Sequence, residues 1–489
     1  MHVFYPTLNE YADNLVKFFQ QIFSTEQALS LAKSLKFVQR SRKMIPGLFN
    51  RCVINSLAVD KEWSLYSIYS NYRRMYCESY DDEPLSWEPF YDFLARSQFL
   101  PYVEAIMKKC RERALETKAF SDFSSLLEIL REKTGIDDII THDGSVIRMS
   151  NNTLGLENYY IHDPALKLHA SVSLTSFTTI YNNLTAGQAD ERINISDDEK
   201  PLTNKLVICD AGYCSDNVYE QVEDAGGYFL IKLRANCGFQ IEAMQKVSAS
   251  EQVVEPVVPL VKGKKVPRAL KVTEVKVSDE FAADLIATTH SGIRLRVVKF
   301  KIEKDGNTST ISLATNIPAD KLDLFQIAAI YRARWQVEIF YRCMKGFCSM
   351  KGSRSSNLNI QKAFMLFSLI TAYLKIILGA TAQENSGNPL EISPKKLMHS
   401  ISPYLDSLIS KIIAGNKFSD ILKQIRLCCR EIAVTMKKSK PSFINRKRGK
   451  YIGWIIENIK RPIIKTSMGA IWAKDPKVVI KEEFVTVYY

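Results

Sequence analysis

The segment Lys205–Ala235 constrains the fold most. Here "KLVICDAGY" reads as a short apolar strand stopping at an aspartate, "NVYEQVEDAGG" as a helix ending at glycine, and "YFLIKLRA" as another strand. Upstream, "DDIITHDGSVIRMS", "ALKLHASVSLT" and "TTIYNNLTAG" read as three further strands. Three strands followed by strand, helix and strand make an α/β pattern.

The hydrophobic period differs on either side of this core. Residues 1–134 lack strand alternation and carry helical patches such as "YADNLVKFFQQIF" and "FLPYVEAIMKKCRERALE". Residues 235–322 show little helical period, and "GIRLRVVKFKIEKDGNTSTISLATNI" fits a β-rich insertion turning at "EKDGNTS", where Asp-Gly favours a tight turn. The insertion divides the core into 135–234 and 323–385, and 386–489 form a helical, basic C-terminal region. A chain of 489 residues accommodates about three units.

Charge narrows the partner. A net charge of +13 and a pI near 9.1 favour a polyanion, nucleic acid before membrane. Cations cluster at Lys33, Lys36, Arg40, Arg42 and Lys43, at Arg73 and Arg74, and from Lys108 to Arg113. The tail "KKSKPSFINRKRGK", Lys437 to Lys450, either follows a phosphate backbone or lies in a solvated loop. The acidic residues of "MHVFYPTLNEYADNL" imply no export. Between Lys362 and Lys375 the most apolar run is too short for the roughly 20 residues that span a bilayer, and reads as a buried core helix. Ten scattered cysteines without a CxxC pair, and six dispersed histidines, speak against structural zinc and for reduced thiols in the cytoplasm.

In "IYRARWQVEIFYRCMKGF", read as one helix, Tyr331, Arg334, Glu338 and Lys345 share an arc of roughly 60°, with Trp335 and Arg342 beside it. Ala333, Val337, Phe340, Met344 and Phe347 take the opposite face. Alone, the polar arc reads as a solvated face with Arg334, Glu338 and Arg342 at pairing distance, and Trp335 as a core aromatic. Asp143, in "ITHDGSV", reads alone as a hairpin turn. Asp210 ends an apolar strand, where ligands often lie in open α/β sheets, or else caps the next helix.

Taken together, these residues follow an order found in ribonuclease-H-like nucleases: a carboxylate in a first strand, a second ending a later strand, a third on a following helix. Tyr331, Arg334, Glu338 and Lys345 reproduce the Tyr-x2-Arg-x3-Glu-x6-Lys (YREK) signature of one branch, the IS-four type, of the DDE transposases of bacterial insertion sequences. "DAGY" resembles the motif around that family's second aspartate, "HDGS" the element around its first, and the β-rich insertion also matches.

The resemblance implies a ribonuclease-H-like core interrupted by the insertion and flanked by helical regions. It implies that Asp143, Asp210 and Glu338 bind two Mg2+ ions, with Mn2+ as a substitute, for cut-and-paste transposition through a DNA hairpin. Tyr331, Arg334 and Lys345 would face terminal phosphates, aided by Arg342, while Trp335 would stack on a base. Lys232 and Arg234 resemble a basic strand found after the second aspartate in this family and would contact DNA. His142 and His169 read as packing or hydrogen-bonding residues. Residues 1–134 would bind the inverted repeats and the C-terminal region would support a homodimer, in a cytoplasmic, nucleoid-associated protein. The competing expectations are a DNA-binding inhibitor or decayed copy without catalysis, and a nuclease without strand transfer.

Overall fold

The computed structural model describes residues 8–40, 43–60, 63–117, 124–149, 164–189, 202–248, 258–259, 270–304, 307–352, 355–384, 394–438 and 455–464. The chain begins with helices α1 (Leu8–Phe23), α2 (Thr25–Ser34), α3 (Pro46–Val59), α4 (Leu65–Ser79), α5 (Trp87–Ala95), α6 (Phe99–Leu115) and α7 (Ser124–Thr134). Pro46 opens α3, where its missing N–H costs nothing, and Ser64 and Ser67 cap α4 reciprocally. At Gly47, α3 passes so close to the end of α1 that a Cβ would meet the Phe23 carbonyl.

The strands follow: β1 (Asp138–Arg148), β2 (Ala165–Ser173), β3 (Thr179–Ala186), β4 (Lys205–Cys209), then α8 (Asp216–Asp224), and β5 (Tyr228–Lys232). Next come β6 (Gln240–Ser248), β7 (Val258–Pro259), β8 (Phe281–Thr288), β9 (Arg294–Lys304) and β10 (Asn307–Thr315). Among the described residues these make one ten-stranded sheet in the order β3-β2-β1-β4-β5-β10-β9-β8-β6-β7. β4 runs parallel to both β1 and β5, and the other pairings are antiparallel. The mixed α/β class expected from the pattern is therefore the observed one. Lys304 pairs with Asn307 across the β9–β10 hairpin, whose Asp-Gly turn lies outside the described residues.

The chain ends in α9 (Leu324–Tyr331), a 3-10 turn (Arg332–Arg334), α10 (Trp335–Phe347), α11 (Leu358–Glu384), α12 (Pro394–Ile401), α13 (Leu405–Ile413) and α14 (Phe418–Lys438). By length and composition α11 could cross a membrane, yet its most apolar stretch is wholly buried inside the protein. It runs on past both flanking lysines, and buried Lys375 has its donors satisfied in place: its Nζ donates to the Phe347 carbonyl at 2.6 Å and to Ser402 Oγ at 2.8 Å. Around α11 one apolar core joins side chains of α1, α3, α4 and α6 to those of β2, α10, α12 and α13.

Two local readings are decided by the structure. Asp143 and Gly144 lie inside β1, opposite Ala170 and His169 of β2, so the strand reading holds and the stand-alone hairpin reading does not. Glycine serves close packing there, since a Cβ on Gly144 would stand 3.2 Å from Lys167 Cδ. The polar helix is also not continuous. Tyr331 closes α9, Arg334 belongs to the 3-10 turn, and Glu338 and Lys345 stand on α10.

Candidate active site

β1 and β4 are parallel neighbours, with Asp138 paired to Lys205 and Thr141 to Ile208. Continuing that register sets Asp143 level with Asp210, on strands about 4.8 Å apart. Asp210 caps the 3-10 turn Ala211–Tyr213, accepting from the Gly212 N–H at 2.8 Å. Asp143 Oδ1 accepts from the Gly144 N–H at 2.8 Å. Each aspartate is thus held beside its own backbone at a strand end or within a strand.

α10 approaches β1 and is fastened to carbonyls of β1 and β2. The Tyr341 hydroxyl donates to Asp143 O at 2.7 Å and to Leu168 O at 3.0 Å, and Lys345 Nζ donates to Val146 O at 3.3 Å. Sequence reasoning passed over Tyr341; its position three residues after Glu338 was the available signal. Arg334 Nη2 donates to Glu338 Oε1 at 2.8 Å, so this pair forms as the spacing allows. Arg342 instead lies over the Trp335 ring, 5.3 Å from its centroid, and Trp335 is 45% exposed rather than part of the core.

Electrostatics ties these groups together. Burial works against the Arg334 charge, but Tyr331, Glu338 and Asp143 outweigh it and hold its pKa above the ordinary guanidinium value. Burial also pushes the Tyr331 phenol up, with Asp210, Cys209 and Asp143 adding to the shift and Arg334 opposing it, so Tyr331 remains an O–H donor. Burial lowers the Lys345 pKa. On the opposite face of β1, His142 bonds Ser171 Oγ at 2.7 Å and packs edge-on against Tyr213, and His169 bonds Thr185 Oγ1 at 2.9 Å. Both histidines are hydrogen-bonding residues, as expected.

The basic candidates are distributed differently. Arg234 donates to the Ala211 and Gly212 carbonyls at 3.2 and 3.3 Å, bracing the Asp210 turn, while Lys232 ends β5 half-buried. In the helical region Arg40, Lys43 and Arg96 line a cleft of about 780 Å³ with Tyr76 and Phe93. Arg74 pairs with Glu78 and Arg113 with Glu116. Arg42 and the tail from Ser439 to Lys450 lie outside the described residues.

Hard divalent cations take oxygen ligands, and the carboxylates of Asp143, Asp210 and Glu338 are donors of that kind, with Glu338 paired to Arg334 and Asp143 acting on the same guanidinium. Their arrangement is open: among the described residues no three Asp, Glu, His or Cys side chains are gathered to hold an ion. The Glu338 carboxylate is turned onto Arg334, which holds it through Oε1.

Residues 135–374, which contain all three carboxylates and Lys345, match the protein family described as Transposase DDE domain. The y4zB protein of Sinorhizobium fredii (strain NBRC 101917 / NGR234), a candidate transposase by name, is 22% identical over 174 residues, 35% of this chain and 42% of its own length. The transposase for insertion sequence element IS421 of Escherichia coli is 30% identical over 64 residues, 13% of this chain and 17% of its own. The InsL protein for insertion sequence element IS186A of Escherichia coli (strain K12), also a candidate transposase by name, matches at the same identity and coverage. The chain therefore spans less than half the length of each of these relatives.

Proposed function

We propose that the chain is a DDE transposase of the YREK branch that cuts and joins DNA at the inverted-repeat ends of an insertion sequence. The observation that carries the reading is the parallel register of β1 and β4, which, continued past Thr141 and Ile208, sets Asp143 level with Asp210 at the turn after β4, with the Arg334–Glu338 pair on the helical segment packed against these strands. The order of the first five strands, β3-β2-β1-β4-β5, supports a ribonuclease-H-like core, and β6 to β10 then constitute the insertion. In this reading residues 1–134 recognise the ends and the C-terminal region supports a homodimer.

Asp143, Asp210 and Glu338 would hold two Mg2+ ions, which when bound supply charge to the attacking and leaving oxygens of a phosphodiester displacement. The remaining residues position DNA. Arg334, Lys345 and the Tyr331 hydroxyl face the terminal phosphates, and the exposed Trp335 ring offers a stacking surface for an unpaired base. Bending the end into a hairpin costs several kcal/mol of DNA deformation, which phosphate contacts from the arginine fork offset.

A time course on labelled end DNA with Mg2+, resolving nicked, hairpin and joined products, tests the reading. Products that need Mg2+ and vanish with chelator are expected; binding without any product would defeat it. One observation favours a second reading, a DNA-binding protein without cleavage: the Glu338 carboxylate is engaged by Arg334. The same assay separates the two.

A further inference from the structure

Cys214 follows the turn capped by Asp210, and Cys237 lies in the loop between β5 and β6. Though 23 positions apart in sequence, their Sγ atoms stand 3.7 Å from each other. The contact is built rather than incidental. Arg234, on the Cys237 loop, grips the Ala211 and Gly212 carbonyls of the Cys214 turn, and the Cys237 N–H donates to Arg234 O at 3.1 Å. The Tyr219 hydroxyl from α8 donates to Cys214 Sγ at 3.3 Å.

Each of these features serves sulfur chemistry. A disulfide needs the sulfurs at about 2.05 Å, and the pair closes to it from 3.7 Å. A thiolate is the reactive form, favoured by nearby cations and donors. The Cys237 thiol is the main influence bringing Cys214 down to about 6; burial opposes it, and Tyr219 and Arg234 assist. Cys237, half-buried, opens the pair to small oxidants.

We propose that Cys214 and Cys237 form a reversible oxidation site that closes to a disulfide with a peroxide-class oxidant. The Cys214 thiolate attacks one peroxide oxygen, the O–O bond breaks, and with one proton taken up the products are a Cys214 sulfenic acid and water. The Cys237 sulfur then attacks the sulfenic sulfur, the S–O bond breaks, and the hydroxyl leaves as water with the Cys237 proton. Overall two thiols and one hydrogen peroxide give one disulfide and two waters. The bond would tie the Asp210 turn covalently to the loop that leads into β6.

The test treats the full chain with one equivalent of hydrogen peroxide, alkylates it under denaturing conditions and maps its peptides by mass. A Cys214–Cys237 cross-linked peptide, lighter by two hydrogens and lost on dithiothreitol treatment, is expected. The exposed Cys77 is the internal reference for simple accessibility. If Cys77 oxidises first, or if Cys214 and Cys237 both remain alkylatable, the proposal fails. In Cys237→Ser, a dimedone adduct at Cys214 after peroxide is the expected result, and its absence would also overturn the proposal.

Discussion

On the β8–β9 side of the sheet, Arg296 is 1% exposed and forks onto both oxygens of Asp284 at 2.9 and 2.6 Å. Its remaining donor reaches the Ile317 and Leu322 carbonyls at 3.1 and 2.7 Å. Beside β1, Arg334 meets one oxygen of Glu338 at 2.8 Å, with the side chains 21% and 28% exposed and Asp143 and Tyr331 sharing its field. Two arginine–carboxylate pairs thus differ in closure. The buried one uses its charge entirely within the protein, whereas the open one sets a single guanidinium among several acids within reach of solvent. A closed pair specifies packing, and an open one can exchange partners for metal or phosphate.

Neutralising an acid on the open side should have the largest effect. Asp210→Asn or Glu338→Gln should reduce end nicking about a thousandfold, equivalent to several kcal/mol of lost transition-state stabilisation, with urea midpoints near wild type. Retained nicking would place the open pair with the closed one as structure. On the closed side, Asp284→Ala should cost about 3–5 kcal/mol in urea unfolding by stranding the Arg296 charge. The double change Asp284→Leu with Arg296→Met should recover most of that loss; failure to recover would show that the fork to the two carbonyls matters more than the charge.

Smaller effects sharpen the contrast further. Arg334→Ala should lower hairpin and joined products about ten- to a hundredfold more than nicked product, yet change stability by no more than about 1 kcal/mol. Equal loss at all three steps would assign Arg334 to the carboxylates rather than to DNA. Smallest of all, Arg342→Ala removes a cation–π contact with Trp335, worth about 0.5–1 kcal/mol at an exposed site.

Strands that bury apolar residues were legible in the sequence. "KLVIC" became β4 and "YFLIK" became β5 because continuous apolar runs have few other uses at that length. "DAGY" announced a strand end because the aspartate caps the turn after it. Gly144 misled because its reason is the Lys167 side chain from the neighbouring strand, which local sequence does not contain. For the same reason the Asp284–Arg296 pair and the Cys214–Cys237 contact were invisible: each depends on register between separate elements. Trp335 was ambiguous because a residue bordering two helix faces is assigned only by what covers it.

α11, at 27 residues, runs about 40 Å through the middle of the molecule. Phe364 stacks on Trp63 and packs against Phe99, and Phe367 meets Phe49. The N-terminal helices are therefore not a detachable cassette on a self-sufficient core. A gene lacking its first 134 codons would uncover the flank of α11, and its product would lose solubility. The proposed recognition of DNA ends is therefore tested with the cassette left in place, by changing Arg40, Lys43 and Arg96 at the rim of their cleft and leaving the aromatic seam whole.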